Sequence, residues 1–134
     1  MKVLTVRQPW AGLILAHGKD IENREWPTKV RGRIAIHSSK VLRVSDFDDA
    51  RFVEHMGPKV DWTGPEFRAG CILGTVEIVD CVTASDSPWF VGPYGFVLSN
   101  PMLFERPIPA KGKLGFWEWE DVTGAGVAQG RNYE

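Results

Sequence analysis

The chain has 134 residues, 43% hydrophobic and 25% charged, which suits one domain around a single core and excludes a mostly disordered chain. No apolar run approaches the roughly 20 residues that span a bilayer, and residues 1–20 lack the basic, apolar, small-residue order of a signal peptide, so a cytoplasmic protein with no membrane contact is expected. Net charge is −1, yet residues 1–45 carry nine Lys or Arg against three acids, a net of +6, and the remainder is −7. Either the basic segment draws a nucleic acid to one face, or the two segments fold together and neutralise each other.

Lys2 to Val6 alternates and is rich in β-branched residues, which predicts a first strand. Pro9 suits a first helical turn, and Trp10, Leu13, Ile14 and His17 then recur at i, i+3, i+4 and i+7 before Gly18, so a short helix is predicted over 9–17. Asp20 to Trp26 reads as a strand with Glu22 and Arg24 on one face and Ile21 and Asn23 on the other, closed by Pro27. Residues 32–38 form a further strand, with Ile34 and Ile36 on one side and Arg33, Ala35 and His37 opposite.

Ser45, three residues before Asp48, resembles a capping box, and Phe52, Val53 and Met56 keep helical spacing, so a second helix is predicted over 45–56. Residues 57–69 read as a surface loop. The run 70–82 is apolar on both faces, as a central strand should be, with a bulge expected at Gly74. There follow a strand around 94–98, a proline-bearing connection over 99–113, a last strand from Leu114 to Trp119, and a small-residue flexible tail over 124–134. Ile34, Ile36, Ile72, Val76 and Ile78 are expected to face a common interior. About six strands with two helices and no regular strand–helix alternation predict an α+β fold, a small mixed β-barrel flanked by both helices, in one domain over residues 1–123.

Cys71 and Cys81 would stand about 33 Å apart on one straight strand, too far for a disulfide. With no CxxC and no His at zinc spacing, two reduced, buried thiols and no metal site are expected. Nor does any Gly-rich phosphate loop or Ser-His-Asp order suggest a cofactor.

Polar chemistry gathers around the first helix. Arg7 and Gln8 precede its N-terminus, where free amides and the dipole suit an anion or a carbonyl-rich base edge. Trp10 can stack on a base or serve as a core residue. Just past the helix, Lys19, Glu22 and Arg24 form a compact charged set, either a structural salt bridge or a site in which Lys19 acts as general base and Glu22 relays a proton. His37, Ser38 and Lys40 end the next strand and extend the candidate ligand-binding set, with Trp26 as a second stacking surface. Glu77 on the central strand needs a partner or a function. Trp89, Phe90 and Phe104 offer a surface for a protein partner.

The segments R7-Q-P-W-A-G-L-I-L-A-H-G-K-D-I-E-N-R-E-W26, R31-G-R-I-A-I-H-S-S-K40 and G70-C-I-L-G-T-V-E-I-V-D-C81 resemble those of the ASCH domain family, related to the PUA-like RNA-binding fold. Similarity extends through S99-N-P and P107-I-P-A-K-G-K-L-G-F-W117 and covers about residues 3–120. The resemblance implies a small PUA-like barrel with a cleft around the Gly-Lys-x-x-Glu-x-Arg segment, and RNA or single-stranded DNA as ligand. One branch of the family hydrolyses N4-acylated cytidines with a Lys, a Thr and a Glu, and another is described as ribonuclease-like. By motif the Lys of the first branch falls on Lys19, but its Thr falls on Glu22, a departure from that pattern. The expected function is nucleic-acid or nucleobase binding through Arg7, Gln8, Trp10, Arg24, Trp26, His37, Ser38 and Lys40. The alternative is an amidohydrolase acting on N4-acylated cytidine-type nucleosides, with Lys19 activating water and Glu22 or Glu77 relaying a proton, or a ribonuclease-like enzyme.

Overall fold

The β-branched first strand, Lys2–Val6, pairs in parallel with the strand Gly32–Ser38, and the helix and short strand between them form the crossover that a parallel pair requires. In the computed structural model, which describes residues 1–51 and 60–120, the elements are β1 (Lys2–Val6), α1 (Trp10–Ala16), β2 (Ile21–Arg24), β3 (Gly32–Ser38), α2 (Val44–Arg51), β4 (Cys71–Val82), β5 (Tyr94–Pro109) and β6 (Phe116–Glu118), with a single 3-10 turn at Pro65–Phe67. The expected tail over 124–134 and the last residues of the predicted second helix lie outside the described residues. One mixed sheet runs in the order β2-β5-β4-β3-β1-β6. The β1–β3 pair is parallel and the remaining pairs are antiparallel. Six mixed strands curled into a half-barrel, with two helices, make the α+β small barrel that the pattern predicts.

Alternation assigns the faces. Leu4, Val6, Ile34, Ile36, Val76, Ile78, Phe96 and Leu98 enclose the main core, closed by Ala11, Ile14 and Leu15 of α1. Leu13, on the other flank of the same helix, packs with Ile21, Ala50, Val60 and Trp89. Five consecutive helical residues, Ala11 to Leu15, are therefore buried. Gly12 permits this, because a Cβ there would lie 2.6 Å from the Phe67 ring.

Ile72 departs from its expected face. It packs with Val3, Ala35 and Phe104 on the opposite side of the sheet, while Leu73 joins Val76 and Ile78 in the main core. The β3–β4 register shifts between the Ile36–Gly74 and His37–Ile72 pairs, two residues of β4 standing against one step of β3, and the extra residue in β4 reverses parity along the strand. The expected bulge at Gly74 is present, and Ile72 lies beyond it.

The proline-bearing connection is also different. Residues 94–109 form one continuous 16-residue strand. Asn100, with φ of 51°, and Pro101 fall in the interval between the Ser99–Glu77 and Met102–Thr75 pairs, where the register shifts. An irregular ladder tolerates a residue without an N–H. The second helix begins at Val44, so Ser45 lies within its first turn and does not precede it. Cys71 is buried and Cys81 half-buried, both as free thiols.

Candidate functional site

Glu22 and Arg24 share a face of β2, as period two requires, and Lys19 reaches them from the turn after α1. Gly18, with φ of 79°, turns the chain, and the Lys19 amide donates back to the Leu13 carbonyl at 3.0 Å. The Lys19 ammonium donates to the Ile21 carbonyl and lies 3.4 Å from Glu22 Oε1, while Arg24 Nε donates to Glu22 Oε2 at 2.9 Å. Arg24 Nη2 donates to the Thr5 carbonyl at 2.8 Å, and Nη1 has no partner among the described residues. Burial pulls the Lys19 pKa down, against the upward pull of Glu22.

Two indoles frame this triad. The Lys19 ammonium lies 5.6 Å from the Trp10 ring centroid and the Arg24 guanidinium 5.6 Å from that of Trp26, both within cation–π range. Trp26 meets Phe96 and Phe116 edge-on and remains 36% exposed. Together with Thr5, Arg7 and Asn23, the triad and the two indoles line a cleft of about 750 Å³, a size that accepts a small molecule or a single base. Asn23 is occupied in holding the rim, since its amide bonds the Trp89 carbonyl and the Val91 and Gly92 amides.

The expected residues separate into three groups. Lys19, Glu22, Arg24, Trp10, Trp26 and Arg7 converge on the cleft, but Arg7 is tied to Asp46 at 2.8 Å. Gln8 does not reach it. Fully buried, it donates to the Glu66 and Arg68 carbonyls and accepts from the Gly12 amide. Gln8 thus satisfies the helix N-terminus internally, and the amide expected to meet an anion is taken. His37 and Lys40 line a different cleft. Ser38, fully buried, donates its one hydroxyl proton to the Arg68 carbonyl at 2.7 Å, with the Cys71 carbonyl 3.1 Å away, and accepts from the Cys71 amide.

Other expectations resolve on packing. Glu77 pairs with Arg33 at 3.1 Å, which accounts for a carboxylate on the central strand. Trp89 and Phe104 are each 5% exposed and Phe90 is half-buried, so two of the three aromatics expected to meet a protein partner belong to the core. Asp46, which carries Arg7, was not singled out by the sequence, where it reads as one of several acids at a helix start. Among the described residues no helix is long and apolar enough to cross a membrane, and no cluster of three His, Cys, Asp or Glu could hold a metal ion.

Residues 4–92, from β1 through the triad and into the loop before β5, match the family model of the ASCH domain. The chain belongs to the ASCH domain family. It is 28% identical over 139 aligned positions to human activating signal cointegrator 1, an alignment covering 95% of this chain and 24% of that protein. The mouse activating signal cointegrator 1 is 27% identical with the same coverage. The chain therefore spans about a quarter of the length of these relatives. The ASCH match ends before β5 and β6, although Phe96 and Phe116 from those strands support Trp26.

Proposed function

We propose that this ASCH domain binds single-stranded nucleic acid, with RNA as the favoured ligand, by taking a nucleobase into the cleft beside Trp26. One observation carries the reading: an exposed indole stands next to a rigid donor–acceptor array. Glu22 is held by two cations and Arg24 by two acceptors, leaving Arg24 Nη1 to donate into the cleft. Base stacking supplies roughly 1–3 kcal/mol per base, and preset hydrogen-bonding groups select its edge. Membership of the ASCH family supports the reading, since its resemblance to RNA-binding folds implies such a ligand. Tryptophan-fluorescence titration with decauridylate tests it. Trp26→Ala should weaken binding about tenfold or more, and an unchanged affinity would remove Trp26 from the interface.

A second reading, hydrolysis of an N4-acylated cytidine, is favoured by the position of Lys19 in the cleft wall beside Glu22, where burial pulls its pKa in the direction a general base needs. Lys19→Arg separates the two. Arginine stays protonated and cannot serve as base, so wild-type release of acetate from N4-acetylcytidine that disappears in Lys19→Arg would establish the hydrolase. A wild-type protein that binds decauridylate and releases no acetate would leave the binding reading.

A further inference from the structure

Of the four cations that line the first cleft, Arg43 is in no ion pair with a described residue and the other three are already committed. Arg7 faces Asp46, and Lys19 and Arg24 share Glu22. A phosphate arriving there meets charges largely neutralised by neighbouring carboxylates. The salt-dependent attraction that single-stranded nucleic acids give to their proteins needs unpaired Lys and Arg.

Such residues gather on the other side of Thr5, in a cleft of about 810 Å³ lined by Lys40, Arg68, Lys111 and Lys113 with no carboxylate in its wall. None of these four cations lies in an ion pair with a described residue. Three come from the acid-rich part of the chain and one from the basic part, and β3, the turn before β4 and the β5–β6 connection bring them together. Lys113 is also 5.9 Å from the Trp117 ring centroid, which orients it. His37 adds no charge to the floor in its neutral form, in which Nε2 donates to the Ala110 carbonyl at 2.6 Å and Nδ1 accepts from the Thr5 hydroxyl at 3.3 Å. Thr5 lines both clefts. Its carbonyl holds Arg24 on one side, and its hydroxyl, which accepts from Trp117 Nε1 at 3.0 Å, belongs to the other.

We infer that this second groove carries the phosphodiester backbone of the same strand whose base enters the first cleft, an inference that rests on the binding reading above. The two clefts divide the work: the paired one recognises a base, and the carboxylate-free one supplies affinity without sequence preference. An acidic peptide would also be attracted by four cations. Contiguity with the stacking cleft across a single residue favours the nucleic acid.

The test compares wild type, Trp26→Ala and the triple variant Arg68→Ala/Lys111→Ala/Lys113→Ala. The three truncated residues are exposed, so folding is checked simply by an unchanged thermal midpoint. The probes are decauridylate, an abasic deoxyribose-phosphate decamer and a poly-glutamate peptide of equal charge. With a slope of about −0.7 per phosphate neutralised, the triple variant should lose about 2 from the salt slope and about 100-fold in affinity near 0.1 M salt for both decamers. Trp26→Ala should weaken decauridylate and leave the abasic strand unchanged. A triple variant with wild-type slope, alongside a weakened Trp26→Ala, would overturn the second groove and keep the base cleft. The reverse pattern would keep the groove and overturn the base cleft. Tighter binding of poly-glutamate than of the abasic strand would overturn the phosphodiester assignment, and no binding of either decamer would overturn both readings.

Discussion

Arg24 on β2 donates to the Thr5 carbonyl on β1 at 2.8 Å, although the two strands are not neighbours in the sheet. The guanidinium spans the open side of the half-barrel and holds Glu22 with its other arm. The same contact therefore joins barrel closure to cleft geometry.

Removing that contact should be felt in stability. Arg24→Ala leaves the Thr5 carbonyl without its bond and Glu22 with only Lys19, so a loss of about 1–3 kcal/mol is expected. Arg24→Lys cannot bridge both acceptors with fork geometry and should recover less than half of it. Urea unfolding of the three proteins decides the matter. A loss below about 0.5 kcal/mol for Arg24→Ala would show that the strands are held by packing alone.

Glu22→Gln tests the buried pair. Lys19 and Glu22 are 4% and 7% exposed, and a buried cation stripped of its counter-charge costs about 3–5 kcal/mol. Adding Lys19→Met removes the stranded charge, so the double variant should be more stable than Glu22→Gln alone. Strictly additive losses in the double-mutant cycle would argue against coupling.

The bulge in β4 allows a sharp steric test. A Cβ at Gly74 would collide with the Met102 carbonyl oxygen, a backbone atom that cannot rotate away. Gly74→Ala should destabilise by about 1–3 kcal/mol, whereas Gly18→Ala, which meets no neighbour within 4 Å, should carry only the strain of its positive φ. Denaturation midpoints that rank the two the other way would place the bulge wrongly.

His37 predicts a pH dependence. Burial pulls its pKa below the ordinary value, and the bond to the Ala110 carbonyl pulls the other way more weakly. The unfolded chain takes up the proton near pH 6.5 while the folded one resists it. The contribution of His37 to stability is thus complete above about pH 6.5 and is lost as pH falls towards the folded-state value. Unfolding free energies should decline over that window in wild type and lose the His37 part of the slope in His37→Gln. An NMR titration in which the His37 ring protonates at or above the ordinary value would reverse the sign.

Local physics made much of the fold legible in the sequence. β-branched alternation announced β1 and β3, and the Pro9-to-Gly18 frame announced α1. Unbroken apolarity marked β4 as central, and period two put Glu22 and Arg24 on one face. These depend on neighbours a few residues away, and so did the motif that identified the family. What tertiary structure alone decided was every relationship across long sequence separations. Gln8 and Ser38 look like available polar groups until the carbonyls of Glu66, Arg68 and Cys71 arrive to occupy them. Ile72 changes face because one residue of β4 added against β3 near Gly74 reverses parity. Charge followed the same rule. The basic amino-terminal segment is partly neutralised, by Asp46 on Arg7, Glu77 on Arg33, Asp80 on Arg31 and Glu118 on Lys2, while the acid-rich remainder supplies Arg68, Lys111 and Lys113 to the unpaired groove. Composition counts charges along the chain, but a ligand meets only those that folding leaves without partners.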